Sequence, residues 1–298
     1  MSIAHAYGPG RFGLSFEFFP PKTEAGERTL YGHVERLMAF KPSFITVTYG
    51  AGGSTQDKTL AIAARIRAEY DLPVATHLTC VGRTPDEIRQ YLADAVERGV
   101  ENVVALRGDP PQGETEFRPV EGGFSYANEL VEMIHHDFPS MGVAVGGYPE
   151  VHQEAPSRKV DMENLKRKVD AGADVVMTQL FYDNEDFYRF RDDCDAMNLG
   201  VPIVPGLLPI ASAGQVKRIT SMCGAKLPAT LVDRLDAAGD DNAAQASVGA
   251  EFAHEQTEDL VGSGVPGIHF YVLNKSEPMS RVLGDLGLGG TPSVAATL

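Results

Sequence analysis

The chain has 298 residues, with 41 Asp and Glu against 26 Lys and Arg, so its formal charge at neutral pH is −15. This acidic balance argues against nucleic-acid binding and against a polybasic membrane contact, since both depend on Lys and Arg. No apolar run is long enough to predict a membrane span, and the N-terminal stretch lacks the apolar core of a secretory signal, so we expect a cytoplasmic protein. The three cysteines are too far apart to predict a disulfide framework or a zinc cluster.

Eight apolar segments rich in β-forming residues follow one another along the chain. Near-continuous apolar runs of this length are typical of parallel strands that helices cover. In chain order, the predicted strands are residues 14–19, 44–49, 74–80, 102–107, 142–148, 174–181, 202–208 and 267–273.

Amphipathic segments alternate with these strands. The predicted helices are residues 28–40, 56–70, 85–98, 126–137, 160–171 and 184–197. Thr84, Pro85 and Glu87 form a pattern that predicts a capping box at the start of the third helix. The seventh connection, residues 209–266, is much longer than the others and is expected to contain at least two helices.

The repeated strand–helix units predict a single α/β domain, a (β/α)8 TIM barrel with extra helices in the seventh connection. A doubly wound open sheet is the alternative, but it usually carries a Gly-rich dinucleotide loop after its first strand, where this chain has Pro20 and Pro21. We expect one domain over residues 1–298, with a core of about residues 12–286 and a frayed tail at 287–298.

Polar residues occur at nearly every predicted strand end. In a barrel, these ends meet at one mouth, which is where small-molecule sites form. The residues are Glu17, Thr48, Tyr49, His77, Thr79, Arg107, Asp109, Tyr148, Glu150, His152, Gln179, Asp183, Asn274 and Lys275.

Glu17 is the most distinctive of these residues, because it lies between Phe16 and Phe18 in an otherwise apolar strand. We expect burial to raise its pKa, since desolvation disfavours the charged form, and a raised pKa suits a general acid near neutral pH. The alternative is a structural carboxylate that pairs with an arginine.

Other residues keep two interpretations on pattern alone. Asp109 could serve the site or only the turn that follows it, and Arg107 could bind a phosphate or pair with an acid. The basic run at residues 166–168 is most simply a solvated helix face. His77 and His152 lack the spacing of metal ligands, so we expect no metal and a hydrogen-bonding role for each.

Several ordered motifs resemble those of the methylenetetrahydrofolate reductase family. The similarity extends from about residue 14 to about residue 286. The motifs are SFEFFPPK (15–22), VTYGA (47–51), HLTC (77–80), ALRGD (105–109), YPEVH (148–152), NLKRKVDAGA (164–173), TQ (178–179) and PGLLP (205–209).

This resemblance implies a flavoprotein of one-carbon and methionine metabolism that reduces 5,10-methylenetetrahydrofolate to 5-methyltetrahydrofolate. Bound FAD carries hydride from NAD(P)H in a ping-pong sequence. Glu17 corresponds to the family's general acid, which protonates the bridging folate nitrogen, and Asp109 to a catalytic residue beside the flavin and the pterin. The implied substrate-binding residues are Glu17, Thr48, Asp109, Gln179, Gln215 and Lys275.

The resemblance also implies a set of FAD contacts, in which Arg167 and Lys168 neutralise the pyrophosphate instead of forming a solvated face. The implied contacts are Thr48, Tyr49, Ala51, His77, Arg107, Gly108, Asp109, Ala127, Tyr148, His152, Ala155, Asp161, Asn164, Arg167 and Lys168. The expected partners are the two small-molecule substrates and further copies of the chain in a homo-oligomer, with no nucleic acid and no membrane.

Two positions depart from the family pattern. Lys275 stands where relatives carry an arginine, which keeps the charge but loses the planar fork, and Ile219 aligns with a phenylalanine that stacks on substrates. The residues themselves leave two other functions open. One is a flavin-free barrel lyase or aldolase with Glu17 as base, and the other is a non-catalytic folate- or flavin-binding protein.

Overall fold

A computed structural model describes residues 2–49, 56–110, 113–114 and 116–288. Strands and helices alternate along most of the chain. The strands are β1 Gly13–Phe18, β2 Phe44–Val47, β3 Val74–Thr79, β4 Asn102–Leu106, β5 Gly142–Gly147, β6 Val175–Thr178, β7 Ile203–Val204, β8 Gly206–Leu207 and β9 Gly267–Tyr271. The helices are α1 Glu24–Met38, α2 Gln56–Tyr70, α3 Pro85–Glu97, α4 Ala127–Asp137, α5 Arg158–Asp170, α6 Asn184–Ala196, α7 Ala213–Cys223, α8 Ala229–Ala237, α9 Asn242–Gly262 and α10 Glu277–Leu286, and a 3-10 helix spans Ile3–Tyr7.

The strands form one parallel sheet in the order β7-β6-β5-β4-β3-β2-β1-β9-β8. Its two ends, β7 and β8, are consecutive pieces of the chain on either side of Pro205. The sheet is therefore a nearly closed barrel, and the predicted α/β barrel is confirmed. The predicted seventh strand, residues 202–208, is divided into two short pieces, of which one pairs with β6 and the other with β9.

Two residues account for this division. Pro205 has no N–H to offer a neighbouring strand, although its carbonyl accepts from His269 N at 3.0 Å. At Gly206, a Cβ would lie 2.2 Å from Thr178 O and 2.8 Å from Tyr271 Cε2. The Tyr271 hydroxyl donates to Thr178 O at 2.7 Å. The barrel thus closes through a glycine that leaves room for a β9 side chain to reach β6.

The amino end of the barrel interior is apolar. Phe44, Val104 and Val175 lie there in one cluster with Ile3 and Tyr7 of the 3-10 helix. Asn102 Oδ1 accepts from Ile3 N at 2.9 Å, which ties the 3-10 helix to β4. Polar groups that face the interior are therefore expected toward the carboxyl ends of the strands.

The first residue of a helix is set by the capping side chain before it more than by the first apolar residue of the amphipathic pattern. α1 begins at Glu24 rather than at residue 28, because Thr23 Oγ1 accepts from Gly26 N at 3.1 Å. The predicted capping box at Thr84 is confirmed. α6 is capped by Asp183. The long seventh connection contains α7, α8 and α9, as the prediction of at least two helices requires.

The C-terminal end is described only in part. Gly287 ends α10 in a left-handed conformation, and Leu288 packs against the core. The rest of the predicted tail, residues 289–298, lies outside the described residues. Among the helices that the structure describes, none has both the length and the apolar character needed to cross a bilayer.

Replacement of Gly206 by alanine should destabilise the protein, because the added Cβ would meet the Thr178 backbone oxygen. Overpacking of this kind costs roughly 1–3 kcal/mol, which chemical denaturation would measure. Gly262→Ala in α9 is the matched control, since no atom outside its own turn of helix and chain neighbours lies within 4 Å of its Cβ position. Its midpoint should stay unchanged or rise slightly. Equal midpoints for the two variants would contradict a tight contact at the barrel closure.

Candidate active site at the barrel mouth

β1 and β9 place polar side chains in the barrel interior. Successive residues of a strand face opposite sides, so Ser15 and Glu17 face inward while the phenylalanines that flank Glu17 are fully buried in the helix-facing core. The pairing of the two strands sets Ser15 opposite His269 and Glu17 opposite Tyr271. Four side chains that can donate or accept hydrogen bonds therefore lie in two successive pairs along these strands.

Two imidazoles contact the carboxylate of Glu17, which is 15% exposed. His77 Nε2 lies 3.0 Å from Oε2, and His269 Nε2 lies 3.4 Å from the same oxygen. Thr46 Oγ1 also lies 3.4 Å from it. His269 Nδ1 lies 2.8 Å from Ser15 Oγ, so a protonated Nε2 directed at Glu17 leaves Nδ1 to accept from the serine hydroxyl.

Burial raises the pKa of Glu17, but the charges and hydrogen bonds of His77 and His269 together lower it further, to about 2. The expectation of a raised pKa is therefore wrong. The flanking phenylalanines do not surround the carboxylate, because they face the helices. The groups that share the interior with it are histidines, not the arginine of the alternative interpretation. Glu17 is thus an anion at neutral pH in the ligand-free protein.

This lowered pKa links Glu17 to stability in acid. A carboxylate with a lowered folded pKa contributes stability that is complete above its unfolded pKa and is lost as the pH falls toward the folded value. For Glu17 that interval extends from 4.5 down to about 2. Urea denaturation between about pH 5 and pH 3 should show a steeper loss of unfolding free energy for the wild type than for Glu17→Gln. Parallel curves would contradict the imidazole contacts.

His269 was not among the residues predicted from the sequence. It lies in the middle of β9, between Ile268 and Phe270, which are both fully buried. A polar residue between apolar neighbours is the same signal that identified Glu17, so the pattern could have indicated it. Its ring also stacks on Phe44, with the ring centres 6.5 Å apart.

A second group of predicted residues surrounds Tyr148 at the carboxyl end of β5. The Tyr148 ring meets the His152 ring edge to face, with centres 4.6 Å apart. Lys168 Nζ lies 5.7 Å from the centre of the Tyr148 ring and donates to the Gly146 carbonyl. Asp161 is buried and accepts from His152 N at 2.9 Å. β5 and α5 thus bring four of the predicted flavin contacts together.

Burial dominates the electrostatics of this group. It lowers the pKa of Lys168 to about 8, although the charge of Asp161 opposes the shift. It also lowers the pKa of His152 and raises that of Tyr148 to about 12. Neutral imidazole is therefore favoured at His152, whose Nδ1 accepts from Glu154 N at 3.1 Å.

Arg107 pairs with an acid, which is one of the two alternatives from the sequence. Its Nη1 and Nη2 lie 2.5 and 2.8 Å from the two carboxylate oxygens of Glu154. Its guanidinium also lies 5.2 Å from the centre of the Phe117 ring. Gly108 follows with a φ of +89°, where a Cβ would lie 2.6 Å from a valine methyl. Asp109 is exposed at this turn, and its charge acts on Arg107.

The predicted residues of the second strand lie on the same rim. Thr48 follows β2, and its N–H donates to Phe18 O at 2.7 Å. The Tyr49 hydroxyl lies 3.4 Å from Gln56 Oε1, and burial raises its pKa. Ala51, the next predicted contact, lies outside the described residues.

The remaining predicted FAD contacts lie on α4, on α5 and in the loop before α5. Ala127 is the first residue of α4, and Ala155 N donates to His152 O at 2.9 Å. Asn164 and Arg167 are exposed on α5, where Arg167 Nη1 donates to Asn164 Oδ1 at 3.1 Å. In this structure these two residues form a solvated face of α5.

Gln215 and Lys275, two of the predicted substrate contacts, line one cleft. The cleft is lined by Leu208, Pro209, Ala211, Gln215, Tyr271, Val272, Leu273, Lys275, Pro278 and Met279. Gln215 Oε1 accepts from Ala211 N at 2.8 Å, and Lys275 is exposed. Gln179, after β6, uses its Oε1 to accept from Leu180 N at 2.9 Å. Ile219 packs against the apolar cluster beneath α7.

Sequence comparisons agree with the motifs at this mouth. A family model described as methylenetetrahydrofolate reductase matches residues 3–287. Methylenetetrahydrofolate reductase (NADH) 1 of Zea mays is 40% identical over an alignment of 296 residues that covers 96% of this chain and 50% of the maize protein. The 5,10-methylenetetrahydrofolate reductase of Escherichia coli is 39% identical over 279 residues, 94% of this chain and 92% of that protein. The chain therefore spans about half the length of the plant relative and most of the bacterial one.

Solved structures share the architecture at low identity. A protein from Clostridium thermocellum that binds two copies of 5-methyl-5,6,7,8-tetrahydrofolic acid has a TM-score of 0.60 at 18% identity, covering 93% of this chain and 96% of that one. Dihydropteroate synthase of Xanthomonas albilineans has a TM-score of 0.51 at 13% identity, covering 94% and 93%. At these identities the likeness shows the fold alone.

Proposed function

The chain belongs to the methylenetetrahydrofolate reductase family, and on this premise we propose that it reduces 5,10-methylenetetrahydrofolate to 5-methyltetrahydrofolate with electrons from NAD(P)H that pass through bound FAD. The observation that carries the proposal is the Glu17 carboxylate inside the barrel, in contact with two imidazoles. The names of the maize and E. coli relatives support the reaction, and the maize name supports NADH as donor. We take residues 12–286 as the catalytic core and the cytoplasm as its location.

The side chains around Tyr148 fit an anionic dinucleotide. Burial disfavours the charge of Lys168, so a phosphate beside its ammonium would stabilise the charged form. The planar fork of Arg107 matches phosphate oxygens, and a phosphate would bind it by replacing the Glu154 carboxylate. The contact between His152 N and Asp161 holds the loop that separates them. FAD, when bound there, would supply hydride transfer between the nicotinamide and the folate.

Glu17 would deliver the proton that opens the folate ring. Because the carboxylate is ionised in the ligand-free protein, it would take up a proton from solvent before it acts as the acid. Exclusion of water by a bound folate would favour that protonation, since desolvation raises the pKa of a carboxyl group. Ser15 holds His269 in the orientation that directs Nε2 at Glu17. Asp109 and Gln179 would orient the pterin at the same mouth.

Stopped-flow spectroscopy of the two half-reactions tests the proposal. The purified protein should be yellow and should release FAD on denaturation. NADH or NADPH should bleach the flavin, and methylenetetrahydrofolate should restore its colour. A colourless protein that takes up no FAD would favour a flavin-free lyase, and a coloured protein that the folate does not reoxidise would favour a binding protein.

Glu17→Gln should retain FAD and its reduction by NAD(P)H but slow reoxidation by the folate at least about 100-fold, because an amide cannot deliver the proton. Glu69→Gln is the control, since Glu69 is exposed and pairs only with Arg65 one helical turn away among the contacts described. It should leave both half-reactions unchanged. Wild-type folate turnover in Glu17→Gln would remove Glu17 from the role of acid.

Asp109→Asn should slow the folate half-reaction roughly tenfold, as expected for the loss of one charged hydrogen-bond acceptor to the pterin. Reduction of the flavin by NAD(P)H should change less, because the nicotinamide does not need that carboxylate. The same two stopped-flow phases measure both effects. An equal slowing of the two phases would contradict the assigned pterin contact.

A further inference from the structure

Helix α7 lies along the rim of the barrel mouth. It begins after β8, where Ser212 caps it, and it ends at Gly224 beside the loop that follows β5. Its first turn carries Gln215, which lines the same cleft as Lys275. The position of α7 therefore sets the shape of the cleft on the predicted folate side.

The inner face of α7 is held by apolar contacts. Val216 belongs to one buried cluster with Leu180 and Tyr182, which follow β6, and with Leu231 and Leu235 of α8. Apolar packing is non-directional, so it holds the helix down without fixing where its far end lies along the rim.

Directional contacts fix that far end. Both carboxylate oxygens of Glu150 accept from Lys226 N, at 3.1 and 3.0 Å, and Gln153 Nε2 donates to Met222 O at 3.0 Å. Gly224 has a φ of +76°, and a Cβ there would lie 2.8 Å from Gln153 Nε2. Glu150 is only 11% exposed, so water competes poorly for these bonds.

The β5–α5 loop that carries Glu150 is itself rigidly held. Val151 has a φ of +91°, a conformation that β-branched residues rarely adopt and that persists only where surrounding contacts impose it. Those contacts include Arg158 Nη1 to Pro149 O at 3.0 Å and His152 N to Asp161 Oδ2 at 2.9 Å. The backbone at Glu150 is therefore held in place, and its carboxylate lies in a fixed position beside the end of α7.

We propose that Glu150 is a positioning residue for the folate side of the site. It ties the segment just after α7 to the β5–α5 loop and so fixes the direction of the helix from its capped start at Ser212, and with it the placement of Gln215 in the cleft. The dinucleotide side has its own supports, the His152–Asp161 and Lys168–Gly146 contacts. This role rests on the proposed reductase function.

Glu150→Ala tests the role in the two half-reactions. The dissociation constant of methylenetetrahydrofolate, from the dependence of flavin reoxidation on its concentration, should rise about tenfold. FAD content and the reduction of flavin by NAD(P)H should stay within about twofold of the wild type. Glu150→Gln retains one acceptor oxygen for Lys226 N and should recover much of the affinity. Amide hydrogen exchange in residues 213–226 should be faster in Glu150→Ala, which reports helix anchoring without turnover.

Lys226→Ala is the matched control. Lys226 donates through its backbone, and its exposed ammonium lies 3.8 Å from Glu150, so the variant should behave like the wild type. The positioning role would be overturned if Lys226→Ala raised the dissociation constant of the folate as much as Glu150→Ala does. It would also be overturned if Glu150→Ala impaired both half-reactions equally. If the wild type reacts with the folate and Glu150→Ala binds the folate with unchanged affinity, the positioning role is overturned and the proposed function is not. A wild-type protein without FAD or folate turnover would instead overturn the proposed function.

Discussion

The pairing of β1 with β9 is the contact on which the rest of the molecule depends. It joins the first strand of the barrel to the last and brings His269 to within 3.4 Å of Glu17, although the two residues are 252 positions apart in the chain. Barrel closure, between β7 and β8, relies on Gly206, which leaves room for the Tyr271 hydroxyl to reach Thr178 O. Because every strand in the barrel is parallel, the same closure sets all the carboxyl ends of the strands around one mouth. The chemistry of the site is thus a consequence of the topology.

Burial disfavours the charged form of both Glu17 and Lys168, but neighbouring groups outweigh that effect only at Glu17. At Glu17 the two imidazoles outweigh desolvation and favour the charged form, with a pKa of about 2. At Lys168 desolvation outweighs Asp161 and disfavours the charged form, with a pKa of about 8. The interior acid is therefore already compensated in the free protein, while the cation beside Tyr148 is not. A ligand that brings negative charge to Lys168 would supply the missing compensation, as the diphosphate of the proposed cofactor does.

The sequence predicts the barrel well because local patterns carry that information. Apolar strands and helix caps depend on residues that are close together in the sequence, and the capping box at Thr84 is an example. The environment of Glu17 is not local, because its pKa depends on cross-strand partners and not on the phenylalanines next to it. The same holds for Arg107 and Glu154, which lie 47 positions apart and meet through the turn at Gly108 and the loop after β5. Sequence patterns could indicate these charges but not how they pair.

The loop after β5 connects the two sides of the proposed site. Glu150 and Gln153 reach the end of α7, whereas His152 meets the Tyr148 ring and Glu154 meets Arg107. Such a division needs an abrupt change of backbone direction, and the φ of +91° at Val151 provides it between Glu150 and His152. In the proposed ping-pong reaction two substrates would use one flavin in turn, so the residues that support the folate and those that support the cofactor would have to keep a constant separation. The loop of residues 150–154 contacts both groups of residues, and a single strained loop of this kind would meet that requirement.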